Sequence, residues 1–281
     1  MEGHALDVIN VRKPASVEAA VNLARIVSKL SPMLGNLIEF TVVERLNEQA
    51  SIGKHRWIRQ DPGFPDALLV GVRPETGFEV KAWFPFATEI TGRFKESRAR
   101  LAGANIHVCL LAWLPTNLVY GTPKILQVGL FPALSVADAR DSHYHQPPRY
   151  VVVEPEDTSE RGPQHQQTNT NGFRFQGSKA EFYDAEKMVS SWGSAARDYS
   201  PERRYQAKIS KLTSAFTYRG DTNFSKIDRI DHEGIEAFKR AVLSRKLQGK
   251  TVGEWRRIVA NKDDSVVAAA LQDHLGIGNE D

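Results

Sequence analysis

Residues 16–30 (SVEAAVNLARIVSKL) place Val17, Ala20, Val21, Ala24, Val27 and Leu30 at helical spacing. Such spacing lines one helix face, and Ser16 is a suitable N-cap. Residues 33–48 (MLGNLIEFTVVERLNE) predict a second helix. The apolar run 67–72 (ALLVGV) predicts a short strand, and RPETG at 73–77 is turn material. FEVKAWF at 78–84 begins with apolar and charged residues in alternation, which predicts a strand pairing with the previous one as a hairpin. A basic helix is expected at 91–102, capped by Thr91. IHVCLLAWL at 106–114 and ILQVGLF at 125–131 have the composition of buried strands, and LSVADARD after them can start a helix. This order predicts an α/β fold, a mixed sheet flanked by helices.

Beyond residue 150 the pattern changes. Pro, Gly, Ser, Thr and amides dominate 155–178, as in a loop or linker. Helices are then expected at 179–198, 202–216, 233–247, 251–260 and 264–275. The expected division is an α/β core over 1–150 and a linker with a largely helical lobe over 151–281.

Composition narrows the class. Of the 281 residues 41% are hydrophobic and 25% charged, ordinary for a globular protein. A single cysteine, Cys109, excludes a disulfide framework or a cysteine-rich zinc site. No membrane span and no export signal is expected from the apolar runs or from MEGHALDVINVRKP, so a cytoplasmic location is expected. The net charge of +3 is modest, but basic residues gather at Arg93–Arg100, Arg203–Lys211 and Lys239–Arg257. Basic stripes on a nearly neutral chain suit a protein that holds a polyanion in one groove.

The chemistry concentrates in Pro65-Asp66 and Glu79-Val80-Lys81, the two acids thirteen positions apart. Residues two apart on a strand share a face, so Glu79 and Lys81 point the same way. A hairpin would bring Asp66 to Glu79 at the end far from the turn. Mg²⁺ is held by one or two carboxylates, keeps several waters, and takes further oxygens from phosphate. It lowers the pKa of a bound water and offsets charge on a scissile phosphate. Lys81 would orient the attacking water and offset phosphate charge.

These residues resemble the PD-(D/E)XK nuclease superfamily, and within it type II restriction endonucleases. The resemblance runs over roughly residues 33–131 and rests on Pro65, Asp66, Glu79 and Lys81. It implies a restriction-endonuclease-like mixed sheet, with catalytic Asp66, Glu79 and Lys81 and metal ligands Asp66 and Glu79. The family often adds a glutamate from a preceding helix. Glu39 in Gly35-Asn-Leu-Ile-Glu39 is the carry-over, because Leu37, Ile38 and Phe40 suggest a buried setting. Glu44 is the competitor, five residues on and on a different side of the helix. The implied activity is Mg²⁺-dependent endonuclease cleavage of double-stranded DNA at a specific site, in a bacterial or archaeal cytoplasm. Cutting both strands of a symmetric site implies a homodimer, and host protection implies a cognate DNA methyltransferase as genetic partner. The lobe after residue 150 would then serve DNA recognition or dimerisation.

DNA contacts follow the same logic. Arg93, Lys95, Arg98 and Arg100 follow the proposed catalytic strand and suit phosphates. The segment 164–176 carries Gln167, Asn169, Asn171 and Arg174, side chains that match adenine and guanine edges. His143 and His145 lack a third metal ligand nearby and read as surface residues. Trp113 and Cys109 read as core, and Trp255 as an anchor of the C-terminal lobe. Two alternatives stay open: a structure-specific repair or recombination nuclease of the same superfamily, and a DNA-binding module without catalysis.

Overall fold

The computed structural model describes residues 1–49, 55–60, 63–86, 90, 101–144, 151–153, 173–175, 177–196, 202–216, 218–220, 227 and 230–278. The chain separates into two compact units, Met1–Ala137 with His232–Asp281, and the insertion Asp138–Asp231. The last helices thus belong to the same unit as the first ones.

The first unit opens with helix α1 (Val17–Ile26), capped where Ser16 accepts the N–H of Ala19. A 3₁₀ turn (Val27–Leu30) leads directly into α2 (Ser31–Gln49). The two expected helices therefore form one continuous helical run. By length and composition that run, Val17–Glu48, would suffice to cross a membrane, although no span is expected from the apolar runs of the sequence. In the fold its Leu34, Ile38 and Val42 are buried, while Ile26, Met33 and Phe40 stay more than half exposed.

The sheet has five strands in the order β1 (Trp57–Arg59), β2 (Ala67–Leu69), β3 (Thr76–Trp83), β4 (Asn105–Asn117) and β5 (Tyr120–Pro132). Neighbours are antiparallel except for β3 and β4, which run parallel. It is a mixed, mostly antiparallel sheet with helices against it. The buried run from Val108 to Leu114 makes β4 the central core strand, as a strand covered on both faces must be. Trp113 and Cys109 both lie in that core, and burial pushes the Cys109 thiol up to about 12.

Two contacts fix α2 to the edge of the sheet. Asn47 clamps Trp57, donating to its carbonyl at 3.0 Å and accepting its N–H at 2.9 Å. Trp57 also stacks on Phe78 with ring centroids 5.2 Å apart, over Ala67 and Leu69.

After β5 comes α3 (Ala133–Tyr144). The insertion holds a three-stranded sheet of β6 (Val151–Val153), β7 (Phe173–Phe175) and β8 (Tyr218–Gly220), with β7 central. Its helices are α4 (Lys179–Ser190), opened by a Ser178–Glu181 capping box, and α5 (Arg203–Ala215). Ala185, Val189, Ala196, Ile209 and Leu212 form its core.

The C-terminal segment contains α6 (Glu233–Ser244), the hairpin β9 (Lys246–Leu247) and β10 (Lys250–Thr251), α7 (Val252–Val259) and α8 (Asp264–Leu275). The helix expected at 233–247 stops early. Gln248 and Gly249 both take positive φ, and they close the hairpin that α6 would otherwise overrun. Trp255 is fully buried and donates its indole N–H to the Leu247 carbonyl at 2.8 Å. α8 packs on α1, and Phe238 of α6 meets Phe131 of β5.

Candidate functional site

The β2–β3 register pairs Ala67 with Phe78 and Leu68 with Gly77, so Asp66 lies one step before the ladder, level with Glu79. The approach is close. A Cβ on Gly77 would stand 2.3 Å from Pro65 Cγ and 2.6 Å from the Ala67 carbonyl oxygen. Only glycine lets the two strands meet there. Pro65-Asp66 is held from its other side by Gln60, whose N–H donates to the Asp66 carbonyl at 2.8 Å. The Gln60 side chain also donates to the Pro65 carbonyl, at 3.1 Å.

Three side chains converge at this point. Lys81 Nζ lies 2.7 Å from Glu79 Oε1 and 3.2 Å from Asp66 Oδ2. Asp66 Oδ2 also accepts the backbone N–H of Val80 at 2.7 Å. Glu79 is only 5% exposed, the one charged residue buried to this degree among the described residues. Its Oε2 is buried and has no hydrogen-bond partner.

Electrostatics follow from that burial. Desolvation pushes the Glu79 carboxyl up to about 7; Asp66 adds to the rise, and Lys81 opposes it. Burial lowers the Lys81 pKa, but Glu79 and Asp66 outweigh it and hold the ammonium above its ordinary value. Glu39 is half-buried on α2 and also raised, first by burial and then by the charge of Asp66, against the pull of Arg59 and Lys81. Its Oε2 accepts from Arg59 at 3.2 Å. Glu44 is exposed on the same helix and pairs with none of these groups. Of the neighbours expected to bury Glu39, Ile38 is buried, but Phe40 is 51% exposed.

Arg59 and Gln60 were not singled out in the sequence. Arg59 ends a strand only three residues long, too short for a periodic signal, and Gln60 follows it. Arg93, Lys95, Arg98, Arg100, Gln167, Asn169, Asn171 and His145 lie outside the described residues, as does nearly all of the helix expected at 91–102. Arg174 falls in β7 by its backbone. On the insertion, Lys208 sits 5.8 Å from the Trp192 ring centroid, a cation–π contact within the basic stripe 203–211.

Among the described residues, no group of three or more His, Cys, Asp or Glu side chains is placed to hold a metal ion. The donor set at Asp66 and Glu79 is smaller than that, two carboxylates. It still fits Mg²⁺, which needs one or two carboxylates and keeps its own waters. The orphaned, buried Oε2 of Glu79 is a further oxygen of the right kind. No family model matches the chain, and neither a curated protein nor a solved structure matches it.

Proposed function

We propose that this protein is a Mg²⁺-dependent endonuclease acting on double-stranded DNA, with a restriction-endonuclease-like core of the PD-(D/E)XK kind. The observation that carries the reading is the convergence of Asp66, Glu79 and Lys81 at one end of β2 and β3. Asp66 and Glu79 would hold the ion, which supplies an acidified water and charge stabilisation at the phosphate. Lys81 orients the attacking water and offsets negative charge on the phosphate. Water oxygen bonds to phosphorus, the scissile P–O bond breaks, and the leaving oxygen takes up a proton. Glu39 adds a third acid beside Asp66 on the helix side.

A type II, site-specific enzyme is the preferred form, working as a homodimer in a bacterial or archaeal cytoplasm beside a protecting methyltransferase. A structure-specific repair nuclease would use the same residues. The non-catalytic reading draws on one observation: the Lys81 ammonium already bridges both acids, as a structural ion pair would. Plasmid digestion with added Mg²⁺ separates the three. Discrete fragments support the restriction enzyme, and cutting of branched or damaged DNA alone supports a repair nuclease. The catalytic reading fails if no DNA is cut, or if Asp66→Ala and Lys81→Ala cut as well as the natural protein.

A further inference from the structure

The acids of this site are each matched to a cation of the chain itself. Lys81 lies between Asp66 and Glu79, and Arg59 holds Glu39. Three carboxylates meet two fixed cations, so little net charge is left to draw in another cation.

We propose that Lys81 is a built-in counter-ion occupying the seat between Asp66 and Glu79, so that this pair takes a hard divalent cation only as the ammonium withdraws. The inference rests on the reading that the two acids hold a metal. Its basis is geometric. The ammonium makes direct contact with one oxygen of each acid, at 2.7 Å and 3.2 Å. An ion that grips both acids through those oxygens must displace the ammonium from them. An ammonium and a divalent ion cannot share them, because like charges a few ångströms apart repel strongly in a largely buried site. Lysine is also a poor fit as the final occupant. Its single charge and three donors leave the buried Oε2 of Glu79 without a partner. Oxygen-seeking divalent ions satisfy more carboxylate oxygens than an ammonium does.

The long, flexible stem of lysine supplies the way out. A DNA phosphate arriving at the site offers the ammonium a third anion. Lys81 then exchanges its two carboxylate partners for a phosphate, and the acids are freed as substrate docks. Metal and DNA would therefore bind with positive coupling, each raising the other's affinity by the same factor. Without DNA the site resists metal.

The test is Mn²⁺ binding to the full chain without DNA, read by electron paramagnetic resonance of the free ion. Lys81→Met and Lys81→Gln, confirmed folded by circular dichroism, are compared with the natural protein. Both variants should bind Mn²⁺ about tenfold tighter or better, since the competing cation is gone. Adding Asp66→Asn to either should abolish the gain. Affinity unchanged or weakened in the variant that folds overturns the proposal. So does a gain that survives Asp66→Asn, because the ion would then sit elsewhere. A chain that binds Mn²⁺ as expected but never cuts DNA defeats only the nuclease reading. One that cuts DNA with Mg²⁺ but shows no gain on losing Lys81 defeats only the counter-ion.

Discussion

The carboxylate of Asp66 accepts the backbone N–H of Val80 across the strand pair, at 2.7 Å. The bond aims the aspartate at the face carrying Glu79 and Lys81, and it closes a ladder position that β2 itself stops short of. One side chain thus serves both the sheet and the site.

The two roles separate by substitution. Asp66→Ala leaves the partly buried Val80 N–H without an acceptor, at a cost of about 1–3 kcal/mol. Asp66→Asn keeps an acceptor there and should recover most of that loss. Both should abolish Mg²⁺-dependent cutting, because the charge is gone in each. DNA binding should persist or strengthen in Asp66→Ala, since a negative charge beside phosphate has been removed. Urea denaturation, plasmid digestion and a binding titration read the three outcomes.

Glu79 should leave a pH signature on stability. Its carboxyl is raised to about 7 in the folded chain, above the range near 4.3 expected of an unfolded glutamate. A raised folded pKa means that the folded state holds its proton longer. The contribution to stability is full below the unfolded pKa and is lost as pH rises through the folded one. The ionised form is therefore the costly one. Glu79→Gln should gain on the natural protein as pH rises from about 4 to about 7, and the difference should flatten outside that window. Melting curves across pH, without metal, measure it; a constant difference would contradict the raised pKa.

Gly77→Ala tests whether the site depends on the close approach of its strands. The added Cβ would overlap both the Pro65 ring and the Ala67 carbonyl. Neither is the free end of a flexible chain, so the backbone around Asp66 must shift. The expected loss is on the order of 2 kcal/mol or more. Cutting should fall as well, without any change to a charged group. Melting temperature together with cleavage rate checks this.

The hairpin was legible because two signals agreed. RPETG marks a turn, although its Thr76 and Gly77 already belong to β3, and the alternation at Glu79 and Lys81 sets which residues share a face, as the 2.7 Å contact between them reflects. Glu39 was legible only as a position on a helix. Its approach to Asp66 needs α2 to be pinned by Asn47 and Trp57, a long-range contact that periodicity does not encode. Strand β1 went unread because three residues with one buried side chain carry no pattern. The division into units was hidden for a related reason. An apolar stripe on α8 announces a buried face but not that its partner is α1, more than 200 positions earlier.

Glu39 and Glu44 give opposite expectations. Glu39 is half-buried and feels the charge of Asp66, whereas Glu44 is exposed. Glu39→Gln should slow cleavage by about tenfold or more, equivalent to roughly 1.4 kcal/mol of barrier. Glu44→Gln should stay near the natural rate. Equal effects, measured as single-turnover rates on one plasmid, would remove Glu39 from the site.

Arg25 is the side chain that most directly ties the C-terminal helices to the first one. Its guanidinium donates to the carbonyls of Val259 and Asn261 and to the carboxylate of Asp264, at the junction of α7 and α8. The two carbonyls lie at and just past the end of α7, where helix carbonyls lack partners of their own. A planar fork with several donors suits three acceptors at once, and a lysine could not reach them all. Arg25 is a third exposed, so solvent weakens the ionic part, and the hydrogen bonds carry most of the effect. Arg25→Ala should therefore cost about 1–2 kcal/mol, and Arg25→Lys should recover less than half of it. The loss should appear as faster amide exchange in α7 and α8 before any in β3. Uniform exchange across both regions would mean that the C-terminal segment and the sheet melt as one, with Arg25 holding nothing that the apolar contacts do not.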